Sequence, residues 1–178
     1  VPVSGAVLAK DNFKLDAEAV MSPITDKSRV IITNSPNNPT GSVLSSNDIT
    51  ELAKLAVERD LIVISDEVYE KIIYDDAKHC CLATFPGMRE RTIVINSLSK
   101  TYAMTGFRVG YALGPEELIS AMMLAHQYIS ACVNGPAQYA AVSALRGSQS
   151  FVEDMVREFD RRRRLLHSRL NEIDGFSC

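Results

Sequence analysis

The sequence lacks any apolar stretch long enough to cross a bilayer. Its apolar run Leu61 to Ile64 is followed almost at once by Asp66 and Glu67. The first residues also lack the basic-then-apolar pattern of a signal peptide. We therefore expect no membrane partner, and we expect the protein to be located in the cytoplasm.

An excess of positive charge is missing as well, since the formal net charge is -3 at pH 7. This balance argues against a general nucleic-acid binder. The run Arg161 to Arg164 lies inside an amphipathic helical pattern, in which most of its charges would face solvent. We therefore expect no nucleic-acid partner.

Cysteine is scarce, and the 4 cysteines form no CxxC pair. Cys80 and Cys81 are adjacent, which suits neither a zinc site nor a disulfide framework. Reduced thiols in a cytoplasmic protein are the simplest account. His79, His126 and His167 are scattered without ligand spacing, so no metal site is predicted.

Short β-branched runs alternate with a helical pattern early in the chain. Arg29 to Thr33 is typical of a strand, and it stops at the segment Asn34 to Gly41, which is rich in proline and asparagine. Ser45, with Asp48 three residues later, begins a helical pattern. Leu61 to Ser65 is again a short strand. This order predicts an α/β fold with a largely parallel sheet covered on both faces by helices.

Polar clusters follow the predicted strands near Asn38, Asp66 and Lys100. The third of these clusters follows the apolar run Ile93 to Ile95. In parallel sheets, ligands bind beyond the carboxyl ends of the strands. We therefore expect the three clusters to converge on one crevice.

The third cluster also predicts an anion site. Ser97 and Lys100 follow the strand, and Arg108 comes directly before the apolar run Val109 to Leu113. A strand end that presents a serine, a lysine and an arginine to one small volume is typical of a site for an anionic ligand. A lysine held there can lose its solvation and act as an amine nucleophile.

Helical patterns fill most of the remaining chain. They are a weak pattern from Leu15 to Met21, a helix opened by Pro115, an alanine-rich helix opened by Pro136 and closed by Gly147, and a long amphipathic helix from about Ser150 to Asn171.

We predict a three-layer α/β/α large domain over residues 1–147. Residues 148–178 are predicted to form a linking helix and the start of a smaller C-terminal domain. The chain begins without methionine and stops just after a Gly-Phe pair that is typical of the entrance to another element. We therefore expect a chain that is cut at both ends.

Three motifs in this order resemble those of a known family. They are Asn34 to Gly41 (NSPNNPTG), Ser65 to Tyr69 (SDEVY) and Ser97 to Gly110 (SLSKTYAMTGFRVG). The chain is similar to the large-domain portion of a fold-type I, pyridoxal-phosphate-dependent aminotransferase of the class I/II group. The resemblance runs from about Leu15 to Asn171, and it is more specific for fold and cofactor than for the reaction.

The resemblance implies roles for two charged residues. Lys100 would form the Schiff base with the cofactor aldehyde, and its freed amine would carry the proton between substrate and cofactor. Such a lysine needs a site that favours the neutral amine, through burial or a nearby cation. Asp66 would pair with the pyridine nitrogen and keep it protonated. Glu67 should point to the other side of the extended chain and is expected to be structural.

The resemblance also implies the remaining contacts. Tyr69 and Asn38 would hydrogen-bond the ring oxygen of the cofactor. Ser97 and Arg108 would bind its phosphate through a hydroxyl and a bidentate guanidinium. The implied catalytic residues are Lys100, Asp66 and Tyr69, and the implied cofactor-binding residues are Asn38, Asp66, Tyr69, Ser97, Lys100 and Arg108.

The implied reaction is transfer of an amino group from an amino acid to a 2-oxo acid, of the aspartate, aromatic or alanine type. Fold-type I C–S lyases and cyclopropane-forming synthases share much of this motif set and remain alternatives. A non-enzymatic alternative is an aminotransferase-like sensor domain of a transcription regulator. Other motif matches are weak: Ser97-x-x-Lys100 lacks the SDN and KTG motifs of penicillin-binding acyl enzymes, and Leu61 to Glu67 resembles a Walker B element in a chain without a phosphate loop.

Members of this family are dimers that share residues between subunits, so the resemblance implies a homodimer for the complete protein. The family's residues that stack on the cofactor ring, complete the phosphate site and bind the substrate carboxylate do not occur in these 178 residues. We therefore predict that this chain alone binds the cofactor weakly and turns over slowly or not at all.

Overall fold

The computed structural model describes residues 1–5, 8, 13, 15 and 20–178. This described part contains a four-stranded sheet and five α-helices. The strands are β1 (Val30–Asn34), β2 (Ile62–Asp66), β3 (Thr92–Ser97) and β4 (Gly110–Leu113). The helices are α1 (Ser46–Glu58), α2 (Leu98–Thr101), α3 (Glu116–Ile129), α4 (Gly135–Arg146) and α5 (Ser150–Asn171). Short 3-10 turns cover Leu82–Thr84 and Thr105–Phe107.

The sheet has the order β1-β2-β3-β4, with the first three strands parallel and β4 antiparallel to β3. This confirms the predicted α/β class with a mostly parallel sheet. Strand β4 runs the other way because residues 98–109 form only a short connection, and a parallel partner would need a crossover to the opposite end of the sheet. In the register, Asn34 lies opposite Asp66, which lies opposite Ile95.

Helix α1 begins with the predicted capping box. The Ser45 side chain accepts a hydrogen bond from the Asp48 backbone amide at 3.2 Å, and the Asp48 carboxylate accepts one from the Ser45 amide at 2.8 Å. The apolar face of α1 packs on one face of the sheet. It forms the main core with the strand and loop residues beside it: Ile49, Leu52, Ala53, Ala56, Leu61, Val63, Leu82 and Met88.

The opposite face of the sheet is open over part of its area. Its residues Val30, Ile32 and Ile95 are 46%, 72% and 36% exposed. Nothing in the described ranges covers Ile32, so the helical layer predicted for this face is not seen there.

Helix bounds agree well with the sequence patterns. Helix α5 begins and ends where predicted, Gly147 ends α4, and Pro115 immediately precedes α3. Strands β1 and β2 each lie one residue later than predicted. The helix predicted over Leu15 to Met21 falls mostly outside the described residues. None of the described helices has the length and apolar character needed to cross a membrane.

A second apolar cluster supports the short helix α2. Leu98 of α2 and Ala137 of α4 are 2% and 3% exposed, and they pack with Met104 and Val109. This cluster holds the chain after β3 against α4, and it thereby fixes the turn on which Lys100 lies.

Candidate active site

The loop after β1 is tied to the end of β2. Asn34 accepts a hydrogen bond from the Asn38 backbone amide at 2.9 Å and donates through Nδ2 to the Asp66 carbonyl oxygen at 3.2 Å. Both prolines of this loop follow cis peptide bonds. Asparagine suits this position because one amide group supplies both the donor and the acceptor.

Asp66 lies half-buried at the carboxyl end of β2. Its Oδ1 atom accepts a hydrogen bond from the Val68 backbone amide at 3.2 Å. No cationic side chain of the described residues lies within ion-pair distance of this carboxylate. The carboxylate therefore retains hydrogen-bonding capacity for a cationic partner.

The three motifs meet at Tyr69. Asn38 donates through Nδ2 to the Tyr69 hydroxyl oxygen at 3.3 Å. The Lys100 ammonium nitrogen lies 5.7 Å from the centre of the Tyr69 ring. Asp66 is three residues before Tyr69 at the same strand end. The structure thus brings Asn38 and Lys100 to the same tyrosine, which follows Asp66 by three residues.

Lys100 lies on α2 between two buried residues of this helix, Leu98 and Thr101. Its own side chain is exposed. A neutral amine at such a position requires burial or a nearby cation. The described residues do not provide that burial.

Ser97 and Arg108 lie at the two ends of one turn. Ser97 caps α2 by accepting a hydrogen bond from the Ser99 amide at 3.1 Å, and its Oγ lies 3.2 Å from the Val109 carbonyl oxygen. Arg108 has a left-handed backbone with φ 54° and donates through Nη1 to the Thr105 carbonyl at 2.9 Å. The turn therefore places a hydroxyl and an exposed guanidinium on one connection.

Gly110 allows this connection to return close to β3. A Cβ atom at position 110 would lie 2.8 Å from the Asn96 carbonyl oxygen. Glycine is therefore required where β4 leaves the turn.

Two clefts border these residues. Asn38 and Tyr69 line one of them together with Tyr74 and Arg163. Arg108 lines another, with the neighbouring side chains Phe107, His126 and Asn134. The structure does not show a direct contact between Arg108 and the group around Tyr69.

Glu67 lies on the opposite face from Asp66, as the alternation of an extended strand predicts. It is 2% exposed. Its carboxylate accepts hydrogen bonds from Ser65 Oγ at 2.9 Å and from the Leu82 amide at 3.2 Å, and it lies 2.8 Å from His79 Nε2. Burial acts to raise the pKa of Glu67, but the hydrogen bonds from His79 and Ser65 outweigh burial and lower this pKa below its ordinary value.

No sequence pattern indicates the part played by His79, because its partner Glu67 lies 12 residues earlier in the chain. Possible metal-ligand atoms of Glu67, Glu70 and His79 lie within 4.8 Å of one another. Spacing along the sequence did not predict this group. Three protein groups already surround the Glu67 carboxylate, so these contacts describe a buried polar network.

Cys81 lies beside the same network. Burial and the nearby charge of Glu67 raise the pKa of the Cys81 thiol to about 11. All 4 cysteines are free.

The arginine run of α5 is paired with acidic side chains. Arg163 and Arg164 each contact Asp75 and Asp160, and Arg161 and Arg162 each contact Glu158. All four arginine side chains are exposed, at 65%, 65%, 40% and 61% in chain order. The run is therefore a solvated helix face, as the amphipathic pattern predicts, with ion pairs to acidic residues of α5 and to Asp75 outside it.

The sequence profile of one protein family, described as aminotransferase class I and II, matches residues 1–178. The chain belongs to this family. Class I and II aminotransferases use pyridoxal phosphate, so the strand-end residues described above lie in a chain of a cofactor-dependent family.

Relatives within the aminotransferase family match nearly the whole chain. An aspartate aminotransferase of Pyrococcus abyssi is 48% identical over 174 residues, which are 97% of this chain and 45% of the relative. The aromatic-amino-acid aminotransferase 2 of Thermococcus litoralis is 44% identical over 174 residues, with the same shares. The chain therefore spans less than half the length of these aminotransferases.

A solved aminotransferase structure has the same fold over this region. The crystal structure of an aromatic aminotransferase from Pyrococcus horikoshii OT3 superposes with a TM-score of 0.92 at 48% identity. The match covers 96% of this chain and 46% of that one. The sheet order and helices described above are thus those of a class I and II aminotransferase over about half of its length.

Proposed function

We propose that this chain is the cofactor-binding part of a pyridoxal-phosphate-dependent aminotransferase. The reaction is transfer of an amino group from an amino acid to a 2-oxo acid. The contact set around Tyr69 carries this proposal, because Asn38 of the first motif and Lys100 of the third both approach the same ring. The relatives are named as aspartate and aromatic-amino-acid aminotransferases, which supports an acidic or aromatic amino acid as the donor.

The side chains fit pyridoxal phosphate by their chemistry. The cofactor has an aldehyde, a basic ring nitrogen, a ring oxygen and a phosphate. The site has an amine at Lys100, a carboxylate at Asp66, a hydroxyl and amide pair at Tyr69 and Asn38, and a guanidinium at Arg108. Asp66 meets no cation among the described residues, and a ring nitrogen is a partner that its geometry can accept.

When bound, pyridoxal phosphate supplies an aldehyde that reacts with amines and a ring that withdraws electrons from the adjoining carbon. Lys100 would hold the cofactor through its amine, and it would hold the proton that leaves the α-carbon of the amino acid. Asp66 would retain a proton at the ring nitrogen through its negative charge.

The remaining residues would orient the cofactor. Tyr69 and Asn38 would donate hydrogen bonds to the ring oxygen, and their mutual contact at 3.3 Å keeps the two donors side by side. Ser97 and Arg108 would hold the phosphate through a hydroxyl and a charge-assisted guanidinium contact.

The isolated chain is proposed to bind the cofactor weakly and to turn over slowly or not at all. Lys100 and Arg108 are both exposed, and exposed charges lose little solvation. The chain also spans only 45% of the aspartate aminotransferase that it resembles. A longer protein would add the cover that desolvates these side chains.

The partial length of the chain also supports the proposed architecture. We expect the open sheet face at Ile32 to be covered by a further helical layer in the longer protein, which would complete the three-layer large domain over residues 1–147. Residues 148–178 would then contain the linking helix α5 and the start of the small domain.

A homodimer is proposed for the complete protein. Tyr128 and Ile129 at the end of α3 are 87% and 83% exposed. Apolar surface of this kind is typical of regions that pack against another chain or domain.

The cytoplasmic location remains a prediction that rests on the cysteines, which are all unpaired.

The proposal is tested by asking whether Lys100 forms a covalent adduct with pyridoxal phosphate. The 178-residue chain is mixed with pyridoxal phosphate and its visible absorbance is recorded before and after borohydride reduction. Peptide mass mapping then locates the reduced cofactor. We expect a visible-band adduct and labelling at Lys100, with loss of both in Lys100→Ala, because this amine is the one beside Tyr69.

Lys78→Ala is the matched control, since Lys78 is also exposed and lies outside the three motifs. This variant should keep the adduct. Both variants should unfold at the same urea concentration as the wild type, because each removes an exposed side chain. Labelling spread evenly over all lysines, or an adduct unchanged in Lys100→Ala, would contradict the proposal.

A further inference from the structure

We infer that Glu67 and His79 form a buried anchor that positions the Asp66 carboxylate from the opposite face of the sheet. This inference rests on the proposed role of Asp66 in cofactor binding. The two anchor residues touch neither the cleft at Tyr69 nor the turn at Arg108, so they act through Asp66 as positioning residues.

The chain remains extended through the residue after Asp66. The Glu67 amide donates to the Ile95 carbonyl oxygen at 2.9 Å, which continues the ladder to β3. Successive side chains of an extended segment point to opposite faces. Ser65 and Glu67 are buried on the core side, at 4% and 2% exposure, and Asp66 points to the other side.

Glu67 joins the strand end to an irregular segment. Its carboxylate contacts Ser65 of the strand and both His79 and Leu82 of the following loop. Leu82 is itself 2% exposed and belongs to the main core. A carboxylate held by three donors in a buried site cannot rotate without leaving donors unpaired, which is costly.

The Asp66 carboxylate has less support of its own. The backbone carbonyl oxygen of Asp66 accepts hydrogen bonds from the Ser35 amide at 3.1 Å and from Asn34 Nδ2 at 3.2 Å. Among the described residues, the Asp66 side chain has only the 3.2 Å hydrogen bond from the Val68 amide. The direction of this side chain therefore follows the backbone between Asp66 and Val68. Glu67 lies between these two residues, and its buried carboxylate helps to hold this backbone in place.

The first test asks, without cofactor, whether the contact between Glu67 and His79 stabilises the backbone at Val68. Amide hydrogen exchange of the 178-residue chain is followed at Val68, whose amide bonds the Asp66 carboxylate. We expect exchange about tenfold faster in His79→Ala, because a lost charge-assisted contact loosens this turn. His79→Gln retains a donor and should recover part of the protection.

Ile49→Val is the matched control, because Ile49 lies in the same core on α1 and far from the turn in sequence. It should lower overall stability without a selective change at Val68. Unchanged Val68 exchange in a folded His79→Ala would overturn the inference. If His79→Ala does not fold, His79→Gln and Ser65→Ala provide the same comparison, since Ser65→Ala removes one contact of the anchor.

The second test measures pyridoxal phosphate binding in a double-mutant cycle. If His79 acts through Asp66, His79→Ala weakens binding several-fold in the wild-type background and has no further effect in Asp66→Ala. Equal losses in both backgrounds would show a merely structural role and overturn the inference. Absence of binding by the wild type would count against the proposed function, while Val68 exchange would still decide whether the anchor exists.

Discussion

Glu67 shows how a single buried charge links stability to pH. Its pKa lies below its ordinary value of 4.5, since hydrogen bonds from His79 and Ser65 outweigh the effect of burial. A group with a lowered pKa in the folded state contributes stability above its unfolded pKa. This contribution is lost as the pH falls through the folded value.

We therefore predict that Glu67→Gln destabilises the chain by about 1–3 kcal/mol near neutral pH, because buried donors lose their charged acceptor. The difference from wild type should shrink in acid, once the wild-type carboxyl is also protonated. Urea unfolding of wild type and variant is measured at two pH values, one neutral and one well below the ordinary pKa of the carboxyl group. Glu90→Gln, at an exposed position, should have little effect at either pH. A loss that is the same at both pH values would contradict the prediction.

At the scale of single residues, sequence reasoning succeeded where geometry is local. The outward direction of Asp66 and the inward direction of Glu67 follow from the alternation of an extended strand. The contact of Glu67 with His79 could not be predicted, because it depends on the path of an irregular loop. The exposure of Lys100 could not be predicted either. It depends on which distant parts of the protein pack near this residue, and the residue pattern around the lysine contains no information about them.

The sequence predicts the beginning of helix α1 more clearly than that of any other described element. Ser45 and Asp48 exchange the two hydrogen bonds of a capping box, at 3.2 and 2.8 Å. These bonds satisfy backbone amides that have no partner within the helix. The apolar face of α1 supplies half of the main core, so fraying at its first turn affects the stability of the whole chain.

We predict that Ser45→Ala lowers the free energy of unfolding by about 1 kcal/mol. Ser46→Ala is the matched control, because Ser46 is the first helical residue and its side chain has no capping contact. Urea denaturation of both variants measures the difference. Equal stability of the two variants would show that the cap contributes nothing.

At the scale of elements, hydrophobic periodicity predicted the longer helices and the parallel strands, but it did not predict the four-residue helix α2. Helix α5 agrees at both ends, and β1 and β2 differ by one residue, because strand ends depend on pairing with a neighbour. The antiparallel direction of β4 could not be predicted from its apolar pattern, since direction is set by the connection. Asn38 and Lys100 both lie near Tyr69 because β1, β2 and β3 are parallel and end at the same edge of the sheet. Arg108 of the third motif lines a separate cleft, so the convergence of all three motifs on one crevice stays a prediction.

The whole molecule is asymmetric across its sheet. On one side, α1 buries residues such as Leu61 and Val63, which are 1% and 0% exposed. On the other side, Ile32 is 72% exposed in the middle of β1. A parallel sheet normally has both of its faces covered by helices. The difference agrees with a chain that spans only 45% of the length of its relative from Pyrococcus abyssi.

This asymmetry predicts opposite results for two substitutions of apolar strand or core residues. Ile32→Thr keeps a β-branched side chain at an exposed position and should change the free energy of unfolding by less than about 0.5 kcal/mol. It should also reduce self-association of the chain, because it removes apolar surface from an open sheet face. Leu61→Ala removes a buried side chain and should cost about 2–5 kcal/mol.

Urea denaturation and light scattering over a range of protein concentrations measure the two effects separately. The comparison is decisive because both residues are aliphatic and differ mainly in exposure, 72% for Ile32 against 1% for Leu61. If Ile32→Thr is as destabilising as Leu61→Ala, the face around Ile32 is covered in the folded chain. In that case the cover proposed to come from a longer protein is already present within these 178 residues.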